Sequence, residues 1–213
     1  MNEEATMKEL TIPISDDAVR SLQVGDPVVL SGVMVTGRDT VHKWMTETFV
    51  RKTRPVQGDD LAVYDTIQPL LACGVIYHCG PVVAGLDTQQ YKFVAAGPTT
   101  SIREEPYQGD VMRHFNIKGV IGKGGMGPKT LEACQEVPGL YLHAIGGAAS
   151  WIAQTVKRVL GVYKLDFGVP EAIWVIEVKD FPAVVTMDAH GNSLHEKIER
   201  QSKAALERLL TQP

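Results

Sequence analysis

From residue 70 to residue 145, short apolar runs alternate with helix-patterned segments, and glycine or proline marks most of the changes. A chain that interleaves strands with helices lays its strands side by side and covers the sheet with the helices, which is an α/β layer fold. The expected strands are 8–12, 27–35, 70–77, 91–96, 117–121, 140–145, 172–178 and 183–188. The last two, ending in IWVIEV and AVVTMD, are joined by KDFP and read as a hairpin. The expected helices are 16–22, 40–52, 105–115, 128–136, 148–159 and 193–210. In 148–159, Ile152, Val156 and Val159 fall on one helical face, with Lys157 and Arg158 in the last turn, where the helix dipole favours cations. Ser193 and Glu196 have capping-box spacing. The stripe of Ile198, Ala205, Leu206, Leu209 and Leu210 behind them is of the kind that packs on a chain's own core.

Composition narrows the function classes. The 213 residues suit one domain, 1–213, with a polar tail over about 1–8 and a C-terminal helix over 193–213. A net charge of −4 without a basic block counts against nucleic acid and anionic membrane as partners. No apolar run has membrane length, and the acidic start MNEEATMKELTIP does not resemble a signal peptide, so the expected compartment is the cytoplasm. Cys73, Cys79 and Cys134 form no C-x-x-C pair, so free structural thiols are expected and no metal site.

The run GVIGKGGMG (119–127) contains Gly122-x-Gly124-x-x-Gly127, the glycine spacing of a dinucleotide loop. That reading needs an acidic residue about 20 positions on, at the end of the next strand. The next strand, LYLHAIGG, ends without one. A phosphate loop of the GxxxxGK[ST] type is excluded as well, because Lys123 is followed by Gly124. What remains is an ammonium among glycines at a strand end, a small anion site. Two other strand ends share that character. TGRDTVHK (36–43) offers Arg38, with Asp39 placed to cap the next helix, and GPTTSIREE (97–105) offers Thr99, Thr100, Ser101 and Arg103. Ser101 and Glu104 also fit a capping box. Each loop alone reads as a cap with a solvated charge. Together they present three cations at strand ends, where ligands of α/β sheets collect. Arg38, Arg103 and Lys123 suit a substrate with two carboxylates, since arginine grips a carboxylate through two bonds and lysine adds a point charge. Gly122 and Gly124 would let the backbone come close to such a ligand, and Thr99 would reach its carbon skeleton.

TGRDTVHK, GPTTSIR and IGKGGMG, followed by GVPEAIWVIEVKDFPAVVTMDAHGNSLHEKI, resemble the β subunit of two-subunit class I fumarases and tartrate dehydratases, and the C-terminal domain of single-chain class I fumarases. The resemblance runs from about the first strand to residue 198. It implies a swivelling β/β/α layered domain with a mixed sheet that closes onto a cluster-bearing α subunit, in a heterotetramer. It implies a hydro-lyase that interconverts fumarate and malate or dehydrates tartrate. It implies an oxygen-sensitive [4Fe–4S] cluster held by the α subunit, whose open iron would act as a Lewis acid on the leaving hydroxyl. Arg38, Arg103 and Lys123 match the family's carboxylate binders, and Thr99 matches the residue proposed as catalytic base. Asp39 and His42 match GRDxxH as supports for Arg38, with Thr100 beside Thr99. One departure stands out. The family often reads GPTTSxRM, whereas here Glu104 and Glu105 follow Arg103, which bears on substrate identity. Fumarate leads over tartrate as the expected substrate. From another class, a non-catalytic anion-binding regulatory domain would keep the same fold, and a nucleotide-binding enzyme rests on the glycine spacing alone.

Overall fold

The computed structural model describes residues 7–211. Of the tail expected over about 1–8, residues 1–6 lie outside the described residues, as do 212–213 of the expected C-terminal segment. In chain order the elements are β1 Lys8–Thr11, α1 Asp16–Arg20, β2 Pro27–Thr36, α2 Asp39–Met45 with a π turn Thr46–Val50, α3 Asp60–Leu71, β3 Val75–Tyr77, β4 Val82–Ala84, β5 Lys92–Ala95, a 3-10 turn Ser101–Glu104 leading into α4 Glu105–Phe115, β6 Gly119–Gly122, α5 Pro128–Glu136, β7 Leu140–His143, α6 Ala149–Ala153, β8 Val156–Tyr163, a 3-10 turn Leu165–Phe167, β9 Ile173–Met187 and α7 Leu194–Thr211. This is the layered α/β fold that the alternation implied, with the mixed sheet that the resemblance implied.

Strands β1, β2, β3, β6 and β7 are parallel, and β9 and β8 continue the sheet antiparallel. β9 also reaches back to β2, so β2, β3, β6, β7 and β9 close on themselves. Alternate residues then enter different cores. Val75, Tyr77, Leu140, Leu142, Trp174 and Ile176 join one. Ile76, Val120, Tyr141, Ile173 and Val175 join the other, under α2 to α5. Burial on both faces is why these strands read as unbroken apolar runs. Each fully buried Val, Leu or Ile contributes roughly 1.5–3 kcal/mol.

Four expectations change. The segment 70–77 divides, because Leu70 and Leu71 close α3 and only Val75–Tyr77 is strand. Cys73, with φ 57°, makes the turn between them. The hairpin is one long strand. KDFP does not reverse the chain; Asp180 takes a left-handed φ of 56° in a bulge opposite Ser31, and pairing with β2 resumes at Phe181. The helix over 148–159 stops at Ala153, and β-branched Val156, Val159 and Val162 form an edge strand on β9. Ser193 does cap α7 through the Glu196 N–H at 3.3 Å. Yet no α7 side chain is buried, because the helix leaves the sheet after His195, and Leu209 is 70% exposed.

Candidate functional site

The parallel strands β2, β3, β6 and β7 end on one edge of the sheet, and two of the motifs, GRD after β2 and GKGG after β6, follow from there. The chain after β5 is stitched across this edge by its backbone. Thr99 N–H donates to the His78 carbonyl beyond β3 at 2.7 Å. Lys123 N–H, just past β6, donates to the Thr99 carbonyl at 3.3 Å, and Ser101 N–H donates to the Lys123 carbonyl at 3.1 Å. The sequence thus brings GPTTS and GKGG together through main-chain bonds that do not depend on side-chain chemistry.

Arg103 joins the third motif. Its Nη2–H donates to Thr99 Oγ1 at 2.6 Å, and its Nε lies 3.5 Å from Asp39 Oδ2. Arg38, at the start of α2, places Nη1 3.1 Å from Glu171, while its Nε is buried without an acceptor among the described residues. Thr99 and Lys123 are half-buried, and Thr100 is exposed, tied to Lys123 only through its backbone. The edge is open. Exposed apolar side chains lie along these segments: Ile102 adjoins Arg103, Ile145 follows β7 and Trp151 is on α6, at 51%, 60% and 53%. A groove of about 600 Å³ lies between β5 and β8, lined also by Ser150 and Ala153 of α6.

Beneath the edge runs a buried polar chain that sequence reasoning missed. Gln108 Oε1 sits 2.9 Å from His42 Nε2 and 2.8 Å from His78 Nε2. His78 Nδ1 meets Ser101 Oγ at 2.8 Å, and Tyr141 O–H donates to the same oxygen at 2.9 Å. His42 Nδ1 lies 2.9 Å from the Arg38 carbonyl, which ties the network to the GRD loop. Burial lowers both imidazole pKa values, and for His78 the neighbouring His42 adds to the effect. His42 was expected to support Arg38 and is placed to do so. His78 and Tyr141 carry no sequence signal beyond a single polar group in an apolar run, and Gln108 is one polar residue among the polar residues of α4.

The glycines serve this packing. A Cβ on Gly122 would lie 1.8 Å from Ser101 Oγ, so the bare backbone makes room for that hydroxyl. Gly124 has φ 81°, in the left-handed region, with open space around it. A Cβ on Gly127 would lie 2.6 Å from Glu105 Oε1.

Two capping expectations are corrected. Ser101 does not cap the turn after it, because its hydroxyl is taken by His78 and Tyr141. Asp39 is the first residue of α2 rather than its cap. Burial works to raise its pKa, but Glu104 and the nearby arginines outweigh that and hold it below the usual value. Glu105 caps α5 from another helix, accepting Gly127 N–H at 2.8 Å and Lys129 N–H at 2.9 Å. Glu104 is fully buried beside Asp39, and burial first, then Asp39, pushes its carboxyl up to about 8.

Two of the three cysteines are poorly placed to hold an iron–sulfur cluster. Cys79 and Cys134 are buried, and burial pushes both thiols up to about 12, away from the thiolate a cluster needs. Among the described residues no group of three or more His, Cys, Asp or Glu is arranged to hold a metal. No helix among them is long and apolar enough to cross a membrane.

Comparison with known proteins follows the same motifs. Residues 1–198 match the family model described as Fumarase C-terminus. Over 193 residues, 91% of this chain, the sequence is 50% identical to a protein of Geobacillus stearothermophilus named "Putative fumarate hydratase class I". The chain spans only 34% of that relative's length. Over 188 residues, 88% of this chain, it is 36% identical to the L(+)-tartrate dehydratase subunit beta of Escherichia coli K12, and it covers 86% of that subunit.

Proposed function

The chain belongs to the fumarase C-terminus family, and from that premise we propose that it supplies the carboxylate grip and the proton-transferring hydroxyl of a hydro-lyase that interconverts fumarate and malate. Dehydration of tartrate is the second reading, favoured by the similarity to a tartrate dehydratase β subunit.

One observation carries the proposal: Arg103 Nη2–H donates to Thr99 Oγ1 at 2.6 Å, on the edge that also bears Arg38 and Lys123. A threonine hydroxyl is a poor base until its oxygen is held as the anion. A guanidinium N–H on that oxygen favours the ionised form, since hydrogen bonding to the charged state stabilises it. In the dehydration direction Thr99 Oγ1, its own proton lost to solvent, takes the proton from the carbon next to a substrate carboxylate as the hydroxyl on the adjacent carbon departs, and in hydration it returns that proton. The electron pair left behind spreads into that carboxylate, and Arg38 and Lys123 stabilise the added charge. The Arg38 Nε that lacks an acceptor in the chain is a donor for the same group.

In this reading the exposed Ile102, Ile145 and Trp151 mark where a cluster-bearing α subunit covers the edge, in a heterotetramer in the cytoplasm. The [4Fe–4S] cluster is the partner's.

The test is anaerobic co-expression with the α subunit and assay of malate, fumarate and both tartrate isomers. Thr99→Ala should lower kcat by about 10²–10⁴-fold, the usual weight of a general base, while KM moves little. Near-normal turnover in that variant would leave Thr99 no part in proton transfer. Activity of this chain alone, without iron, would overturn the reading.

A further inference from the structure

Glu104 has no part in the chemistry proposed above, yet it sits directly behind it. The side chain is 0% exposed. Neither of its carboxyl oxygens hydrogen-bonds an N–H or O–H of another residue among the described residues, only its own backbone N–H favouring the charged form, and Asp39 Oδ1 is buried in the same condition. The two carboxyls face each other across the start of α2 and the turn before α4. The charged and titratable groups around them are few. Arg103 Nε faces Asp39 Oδ2 at 3.5 Å, and Arg38 adjoins Asp39 in the chain. Tyr141 approaches from β7 and His42 from α2, and burial works against the ionised form of each.

Two ionised carboxylates cannot share a buried site without a donor between them. One proton turns that repulsion into a hydrogen bond, and the pair then titrates as a unit. The choice of carrier follows from surroundings. Asp39 is 40% exposed at its side chain and lies beside Arg103, which favours its charged form. Glu104 is buried.

We propose that Glu104 is a carboxylic acid at neutral pH that donates its proton to Asp39, fixing Asp39 against Arg103 and thereby Arg103 against Thr99, so that Glu104 is a positioning residue for the Thr99 hydroxyl. The proton itself stands apart from the hydro-lyase reading. Its effect on Thr99 rests on that reading. The departure from the family's GPTTSxRM pattern acquires a physical role: the acid adds a proton-dependent brace behind the arginine. Burial and the charge of Asp39 place its titration at about 8. Above that pH, Glu104 becomes a second anion next to Asp39, and the brace loosens.

Infrared difference spectra of the full chain, wild type minus Glu104→Gln, read the proton directly. A protonated-carboxyl C=O band should be present in wild type at neutral pH, titrate away at about 8 and be missing from the variant. No such band at neutral pH, or the same band in Glu104→Gln, overturns the proposal. In the complex, Glu104→Gln keeps an N–H for Asp39, so kcat should stay within about threefold of wild type and lose its alkaline fall. Glu104→Met removes the donor and should lower kcat about tenfold at every pH, with a smaller change in KM. An alkaline limb unchanged in Glu104→Gln overturns the positioning role. If the complex turns over no dicarboxylate, the hydro-lyase reading and the positioning role fall together, and the band alone supports or overturns the buried proton.

Discussion

Two groups of charge in this protein use similar residues to opposite ends. At Lys164, one ammonium answers Asp59 and Asp60, with its Nζ 2.6 Å from Asp60 Oδ1 and 5.4 Å from the centre of the Trp44 ring. Asp60 also accepts Trp44 Nε1–H and Gln57 N–H, each at 2.9 Å. Burial works to raise Asp60, but these donors outweigh it and hold its carboxyl below the usual value. Both groups are consumed by the fold. At the sheet edge, Arg38, Arg103 and Lys123 have fewer carboxylates than they can serve. Arg38 keeps a buried N–H without an acceptor, and Arg103 gives one N–H to a hydroxyl rather than an anion. A cation saturated by its own chain holds structure; one left with spare donors is available to a ligand.

The largest expected effect breaks the saturated side. Lys164→Ala takes from Asp60, 1% exposed at its side chain, its close counter-charge and leaves only Arg54, at 3.8 Å. Removing one partner of a buried pair costs about 3–5 kcal/mol. The melting temperature should fall sharply, while the dicarboxylate affinity of the folded fraction in the complex should stay the same. Intact stability with lost affinity would abolish the contrast.

Arg38→Ala tests the other side with a smaller effect. A hydrogen bond to a charged group is worth about 1.5–3 kcal/mol, so dicarboxylate affinity should fall roughly 10- to 100-fold. Stability should change by less than about 1 kcal/mol, because the Arg38–Glu171 pair is partly exposed and worth little to the fold. Calorimetric titration and denaturant unfolding on the same variant separate the two quantities. A loss of several kcal/mol of stability without a change in affinity would move Arg38 into the Lys164 class.

Much of the edge was legible because it is local. Glycine next to a cation at a strand end marks a loop in sequence, and 105–115 and 128–136 are helices with the expected bounds. Tertiary facts were not legible. Val63, Ile67 and Leu71 carry the helical period of α3, but Pro69 and the apolar neighbours of Leu71 made its end read as a strand. Val156 and Val159 fit a helical face as well as an edge strand, and pairing with β9 decides. The S-x-x-E spacing of Ser101 and Glu104 suggested a cap, yet one side chain is drawn to His78 and the other is buried against Asp39. Residues 66 positions apart, such as His42 and Gln108, meet through the fold alone.

The smallest effect concerns Glu105, whose environment is the reverse of its neighbour's. Glu104 finds no donor on another residue among the described residues, whereas Glu105 accepts N–H bonds from Gly127 and Lys129 and the Thr130 hydroxyl at 2.6 Å. It acts as the cap of α5, reaching in from α4 through the space that Gly127 leaves free. An anion at a helix start also meets the positive end of the helix dipole. Losing a cap costs about 0.5–2 kcal/mol, so Glu105→Ala should destabilise by about that much. Amide exchange at Gly127 and Lys129 should quicken, because their donors lose their acceptor. Since α5 anchors the far end of the Lys123 loop, KM in the complex should rise slightly while kcat holds. Unchanged exchange at both amides would mean that α5 caps itself. A large fall in kcat would mean that Glu105 belongs with Glu104 behind Thr99, and the contrast between the two glutamates would have to be drawn elsewhere.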